Sequence, residues 1–116
     1  WHIYEPLDTD AMQLAASCLT GKHDFKAFQA SGGSVESTER TIFSLSVERN
    51  DNIVVLRFQG DGFLYKMVRN ITGTLVEVGL HKRSPQEVYE ILKSKDRRKA
   101  GMTAPSRGLC LEKVLY

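Results

Sequence analysis

Apolar positions along the chain recur with two different periods, and the changes between them mark out the elements. Ala11, Met12, Leu14, Ala15, Cys18 and Leu19 keep helical spacing after Asp8 or Thr9 as a cap, with Gly21 as the stop. Phe25 and Phe28 lie three apart and predict a short helical turn, with His23 and Asp24 as its cap. Residues 31–37 contain Gly32-Gly33 among polar neighbours and predict an exposed, mobile loop. Over 40–48 the period becomes two: Thr41, Phe43, Leu45 and Val47 form the apolar face of a strand. A turn at 50–52 returns the chain into a second strand, 53–59, so the two form an antiparallel hairpin.

Helical spacing resumes at Leu64, Met67/Val68, Ile71, Leu75 and Val78, predicting a helix over 63–78 that ends at Gly79. Its other side carries Lys66, Arg69, Asn70, Gly73 and Glu77. A glycine there costs the helix about 0.5–1 kcal/mol relative to alanine, so some other group is expected to approach it closely. Ser84-Pro85 with Glu87 three residues after the cap predicts another helix start. That helix is expected to fray into the charged run 93–99. Ala104-Pro105 reads as extended, Gly108 as a turn and 109–116 as a last strand. The order implies an α+β domain over 1–116, an antiparallel or mixed sheet with helices packed on one face.

Composition narrows the function classes. The net charge is only +2, from 16 basic and 14 acidic side chains, which taken whole is no signature of nucleic-acid binding. The basic excess gathers late in the chain, where Lys82, Arg83, Lys93, Lys95, Arg97, Arg98, Lys99, Arg107 and Lys113 face Glu87, Glu90, Asp96 and Glu112. Cys18 and Cys110 stand far apart in apolar settings and read as free, buried thiols of a reducing, cytoplasmic compartment. No apolar run is long enough to cross a membrane, and no zinc spacing, glycine-rich phosphate loop or paired carboxylates suggest a metal or cofactor. The opening at Trp1 without methionine suggests an excised or truncated chain.

Arg69 is the first candidate for chemistry. A guanidinium on a packed helix can bind a carboxylate or phosphate through two parallel hydrogen bonds, although a solvated helical arginine has the same pattern. Lys66, one turn earlier, suits a backbone phosphate or plain solvation. His23-Asp24 resembles a base and its orienter, but adjacent side chains seldom face each other, and a structural cap explains the pair better. Lys93, Lys95, Arg97, Arg98 and Lys99 fit RNA-backbone contacts or a solvated helix end. Tyr65 can stack on a base or seal the helix against the core.

The run from Gly60 to Gly79, GDGFLYKMVRNITGTLVEVG, resembles the GxGFLxxMVRNIxGxLxxVG signature of tRNA pseudouridine synthases of the TruA type. His23-Asp24-Phe25 with Phe28, Arg40, Asp96-Arg97, Ala104-Pro105, Gly108-Leu109 and Val114-Leu115-Tyr116 resemble further blocks of that family in the same order. The resemblance implies the C-terminal half of a two-domain, homodimeric enzyme that isomerises uridine in the anticodon stem-loop of tRNA without a cofactor. Arg69 then pairs with a catalytic aspartate of a GRTDxG block in the N-terminal half, a block this sequence lacks. Leu109 corresponds to the apolar residue beside the uracil, and Lys66 and Asn70 are expected at the substrate. An alternative from another class is a stand-alone RNA-binding or dimerisation module without catalysis.

Overall fold

Asp8 opens the first helix, α1 (Thr9–Ser17), by accepting the Ala11 N–H at 3.0 Å. The computed structural model describes residues 1, 3, 5–30, 37–51 and 53–105. The predicted last strand, 109–116, and loop positions 31–36 lie outside the described residues. After α1 the chain does not pass straight into a helical turn. Gly21, at φ 96°, opens a four-residue strand, β1 (Gly21–Asp24), which pairs antiparallel with β2 (Glu39–Asn50). His23 and Asp24 therefore belong to a strand. Asp24 still serves the 3-10 turn Lys26–Phe28 that follows, accepting the Lys26 N–H at 3.0 Å.

β2 and β3 (Ile53–Gly60) form the expected hairpin, completing a sheet of order β1-β2-β3. One detail departs from strict alternation. Ile42 pairs with Gly60 but Ser44 pairs with Gln59, so Phe43 is an extra residue in β2. The bulge shifts the phase of the strand. Ile42 and Leu45 both turn to the core, while Phe43, expected inside, is 53% exposed.

α1 packs on β2, on α2 (Met67–Gly79) and on α3 (Pro85–Ser94). Beyond the short β1, the Gln13 side chain takes the place of a strand partner: its Nε2 donates to Leu45 O at 3.2 Å and its Oε1 accepts the Val47 N–H at 2.8 Å. Open strand edge is thereby covered. The core joins Met12 of α1 and Leu19, just past its end, to Phe25, Phe28, Ile42, Met67, Ile71, Leu75, Val78 and Val88. Leu14, expected on the apolar stripe of α1, is exposed, and Cys18 is half-buried, its thiol directed at Leu14 O.

The start of α2 differs from the sequence reading, whereas its end at Gly79 agrees with it. It begins at Met67, because Lys66 takes a left-handed conformation at φ 57° and residues 61–66 form the turn that leads in. At the far end the left-handed residue is His81, at φ 62°. Lys82 N donates to Glu77 O and His81 N to Val78 O, a Schellman closure. Gly79 is the last helical residue, and a Cβ there would stand 2.7 Å from Met12 Sδ and 3.1 Å from Leu7. The capping box of α3 forms as the sequence predicts, with Ser84 and Glu87 each bonding the other's backbone. Past Ser94 the charged run does not fray. Asp96 caps a second 3-10 turn, Arg97–Lys99, through Arg98 N.

The group that approaches Gly73 is the chain's own backbone: a Cβ there would fall on the Met102 carbonyl oxygen. Gly73→Ala is therefore expected to destabilise the fold by about 1–3 kcal/mol through overpacking, against the roughly 0.5–1 kcal/mol that alanine adds to an open helix. Urea unfolding of the two proteins measures the difference; a more stable alanine variant contradicts the packing of 101–104 on α2.

Candidate active site

The turn into α2 is built on the sheet. Asp61 extends the β2–β3 pairing, its Oδ1 accepting the Thr41 N–H at 2.9 Å and its own N–H donating to Thr41 O at 3.1 Å. Its carboxylate is thus committed to backbone. Phe63 stacks edge-on against Phe58 with centroids 6.3 Å apart, and Leu64 is buried. Lys66 then opens the helix without a side-chain cap, and its Nζ stands 5.3 Å from the Tyr65 ring centroid. No acidic residue occupies the first turn of α2. That turn instead carries Arg69, so two cations stand at the positive end of the helix dipole, where an anion is favoured.

Arg69 is half-buried, and Nε donates to Ala104 O at 2.8 Å while Ala104 N donates back to Arg69 O at 3.0 Å. Among the described residues only Nε is engaged, which leaves the two terminal nitrogens for a second partner. Their geometry suits a carboxylate or phosphate.

The rest of the polar face of α2 grips the same segment. Thr74 Oγ1 accepts the Gly101 N–H at 2.9 Å, and Glu77 Oε1 accepts the Met102 N–H at 3.2 Å. Asn70, expected at the substrate, is fully buried. Its Nδ2 donates to Phe28 O at 2.7 Å, and its Oδ1 accepts from Thr103 Oγ1 and from Arg97 Nη2 at 3.2 Å. Residues 69, 70, 73, 74 and 77 thus form one stripe at helical spacing. An extended backbone is clasped along it. Sequence reasoning missed Thr74 and Thr103 in this assembly. The available signal was the recurrence of polar and small residues at intervals of three and four, on a helix whose other face is apolar apart from Thr72.

The basic run divides. Arg97 turns inward, donating also to Thr103 Oγ1 at 3.1 Å and Gly101 O at 3.0 Å. Lys93, Lys95, Arg98 and Lys99 are exposed. Lys93 lies 5.3 Å over the Tyr89 ring, Lys95 is 3.7 Å from Asp24 Oδ2, and Arg98 pairs with Asp96. Leu109 lies outside the described residues. Two open clefts, of about 330 and 320 Å³, lie beside Arg83 and Glu87 and include none of the α2 polar stripe. Among the described residues no cluster of His, Cys, Asp and Glu could hold a metal ion. No helix there is long and apolar enough to cross a membrane.

His23 makes a different contact from that of a catalytic base: its Nε2 meets Thr20 O at 2.8 Å, and its ring sits edge-on to Phe25. Asp24 is held below the usual carboxylate range. Burial alone raises its pKa, but hydrogen bonds from Thr38 and the Lys26 N–H, with the Lys95 charge, outweigh it.

Residues 15–116 match the family model described as tRNA pseudouridine synthase. The chain is 54% identical over its whole length to a tRNA pseudouridine synthase A of Thermoanaerobacter sp. (strain X514), covering 48% of that protein. It is 52% identical over 99% of its length to the tRNA pseudouridine synthase A of Brevibacillus brevis, covering 47% of it. The tRNA pseudouridine synthase A 2 of Clostridium tetani is 49% identical over the whole chain, again with 47% covered. The chain spans about half the length of the curated relatives it matches.

The depressed pKa of Asp24 has a sign. Because the folded carboxyl titrates below the unfolded value of 3.8, its contribution is present above that pH and is lost as pH falls through the folded value. Asp24→Asn is expected to lower stability at neutral pH by about 1 kcal/mol and to flatten the loss below pH ~4. Thermal unfolding of both proteins across acid pH tests this, and parallel profiles contradict it.

Proposed function

The chain belongs to the tRNA pseudouridine synthase family, and from that premise we propose that it supplies one half of an active centre converting uridine to pseudouridine in tRNA. The observation that carries this reading is the divided guanidinium of Arg69. Its Nε is anchored on Ala104 O, and its terminal nitrogens stand ready at an uncapped helix start. In the complete enzyme these nitrogens hold the carboxylate of an aspartate contributed by the N-terminal half. Two parallel charge-assisted hydrogen bonds keep that carboxylate ionised and fix its direction.

The reaction is an isomerisation, so atoms balance without a cofactor. The bond from ribose C1′ to uracil N1 breaks, the base turns, and a bond from C1′ to C5 forms. The C5 proton leaves to solvent and N1 takes one up. The target uridine, in the anticodon stem-loop, must first leave its stack, at a cost of a few kcal/mol that binding contacts offset. Exposed Lys93, Lys95, Arg98 and Lys99 are suited to hold RNA backbone, since phosphate contacts need charge more than geometry. Lys66, beside Tyr65, is suited to a phosphate nearer the reacting base. We take the working form to be a cytoplasmic homodimer of two-half subunits.

Two outcomes are expected from tritium release by tRNA carrying 5-tritiated uridine. Arg69→Ala in the complete two-half enzyme loses at least about 100-fold in turnover, the scale of losing a preorganised charge-stabilising donor, with tRNA affinity little changed. Near-normal turnover by that variant ends the role given to Arg69. The 116-residue chain alone releases no tritium, because it lacks the aspartate block; release above background overturns the half-site reading.

A further inference from the structure

We propose that Arg97 is the positioning residue that sets the Arg69 guanidinium, rather than one of the basic side chains that hold RNA. The proposal rests on the active-site role proposed for Arg69.

Arg97 and Arg98 are neighbours with opposite fates. The Asp96-capped turn points Arg98 outward, its side chain 90% exposed and paired with the capping carboxylate. Arg97 goes inward and touches both components of the clasp. Nη1 donates to Gly101 O at 3.0 Å, and Nη2 donates to Asn70 Oδ1 at 3.2 Å and Thr103 Oγ1 at 3.1 Å. Asn70 is the residue after Arg69 in the first turn of α2, and Thr103 is the residue before Ala104, on which Arg69 Nε is anchored. One guanidinium therefore ties together the two backbone stretches whose separation determines where Arg69 can reach.

Asn70 can serve only one orientation here. Its oxygen must accept from Arg97 and Thr103, because its Nδ2 donates to Phe28 O. Removing Arg97 leaves Gly101 O without that donor and leaves the buried Asn70 oxygen with Thr103 alone. The 101–104 backbone is then held to α2 by fewer bonds, and Ala104 O can shift relative to Arg69. A shift of about 1 Å at a catalytic constellation can cost on the order of 100-fold in rate.

A double-substitution cycle in the complete two-half enzyme tests this, with single-turnover rates corrected for the active fraction. Arg97→Met is expected to lower the rate about 100-fold, while the salt dependence of tRNA binding is unchanged. In the Arg69→Ala background the same substitution is expected to add no further loss, because both act through one group. Arg97→Lys, which keeps the charge without the fork, is expected to recover only part of the rate. Thr103→Val, which deletes one hydroxyl, is expected to lose about tenfold in the same direction and carries the test if Arg97→Met fails to fold. Additive losses in the cycle overturn the proposal, as does full activity of Thr103→Val and Arg97→Lys together. A salt slope reduced by about one in Arg97→Met instead marks a phosphate contact and also overturns it. If Arg69→Ala itself keeps normal turnover, the function proposed for Arg69 fails, an outcome distinct from an inactive Arg69→Ala beside a fully active Arg97→Met.

Discussion

A backbone segment packed against a helix must find partners for those of its amides and carbonyls that the contact takes out of water. Gly73 creates this situation by letting the Met102 carbonyl lie where a side chain would otherwise stand. The polar stripe of α2 then answers the requirement group by group. Gly101 N finds Thr74, Met102 N finds Glu77, and Ala104 exchanges both of its backbone groups with Arg69. Each such bond contributes only about 1 kcal/mol net, whereas leaving its buried partner unsatisfied costs roughly 1–3 kcal/mol. Specificity of position therefore comes from the penalty for any other arrangement. The Glu77 carboxylate is steadied in turn by Arg83, whose Nη1 also donates to Lys99 O, so the clasp continues beyond α2 toward the second 3-10 turn.

The elements that declared themselves in the sequence are those whose signals are local. Ser84-Pro85 with Glu87, Asp8 before an alanine-rich helix, and a polar turn between alternating stretches each carry their own geometry. The closing strand of the predicted order falls outside the described residues. β1 escaped notice because four residues, none of them strongly apolar, show no period at all. Phe43 was misplaced because alternation assumes one residue per pairing step, and a bulge breaks that count without any mark in composition. The start of α2 was placed too early since a left-handed lysine at 66 leaves no trace in hydrophobic spacing.

The candidate site was legible to a different degree. Arg69 could be singled out, and Gly73 correctly implied a close neighbour, but the neighbour's identity could not be read. Asn70 and Arg97 show why. A polar side chain buried by hydrogen bonding to backbone looks, in sequence, like one facing solvent or ligand, since periodicity registers only where apolar groups go. Asn70 was expected at the substrate and is fully enclosed; Arg97 was grouped with exposed cations and is turned inward. Only the three-dimensional path of 97–104 separates these cases.

The same path explains why arginine rather than lysine suits position 69. In the role proposed for it, the side chain has two obligations in different directions: one toward Ala104 O, which fixes its root to the clasped segment, and one toward the anion proposed at the helix start. A lysine ammonium is a single point that can satisfy one of these well, and moving to the other releases the first. The guanidinium separates them, with Nε committed at 2.8 Å to Ala104 O and the terminal pair, unengaged among the described residues, presenting a planar fork. Anchoring Nε also removes much of the rotamer freedom that would otherwise be lost when a partner binds. The cationic, uncapped first turn adds an attraction for negative charge that no acidic residue of that turn neutralises. In the proposed function, the carboxylate from the other half is what completes the electrostatics of this helix start.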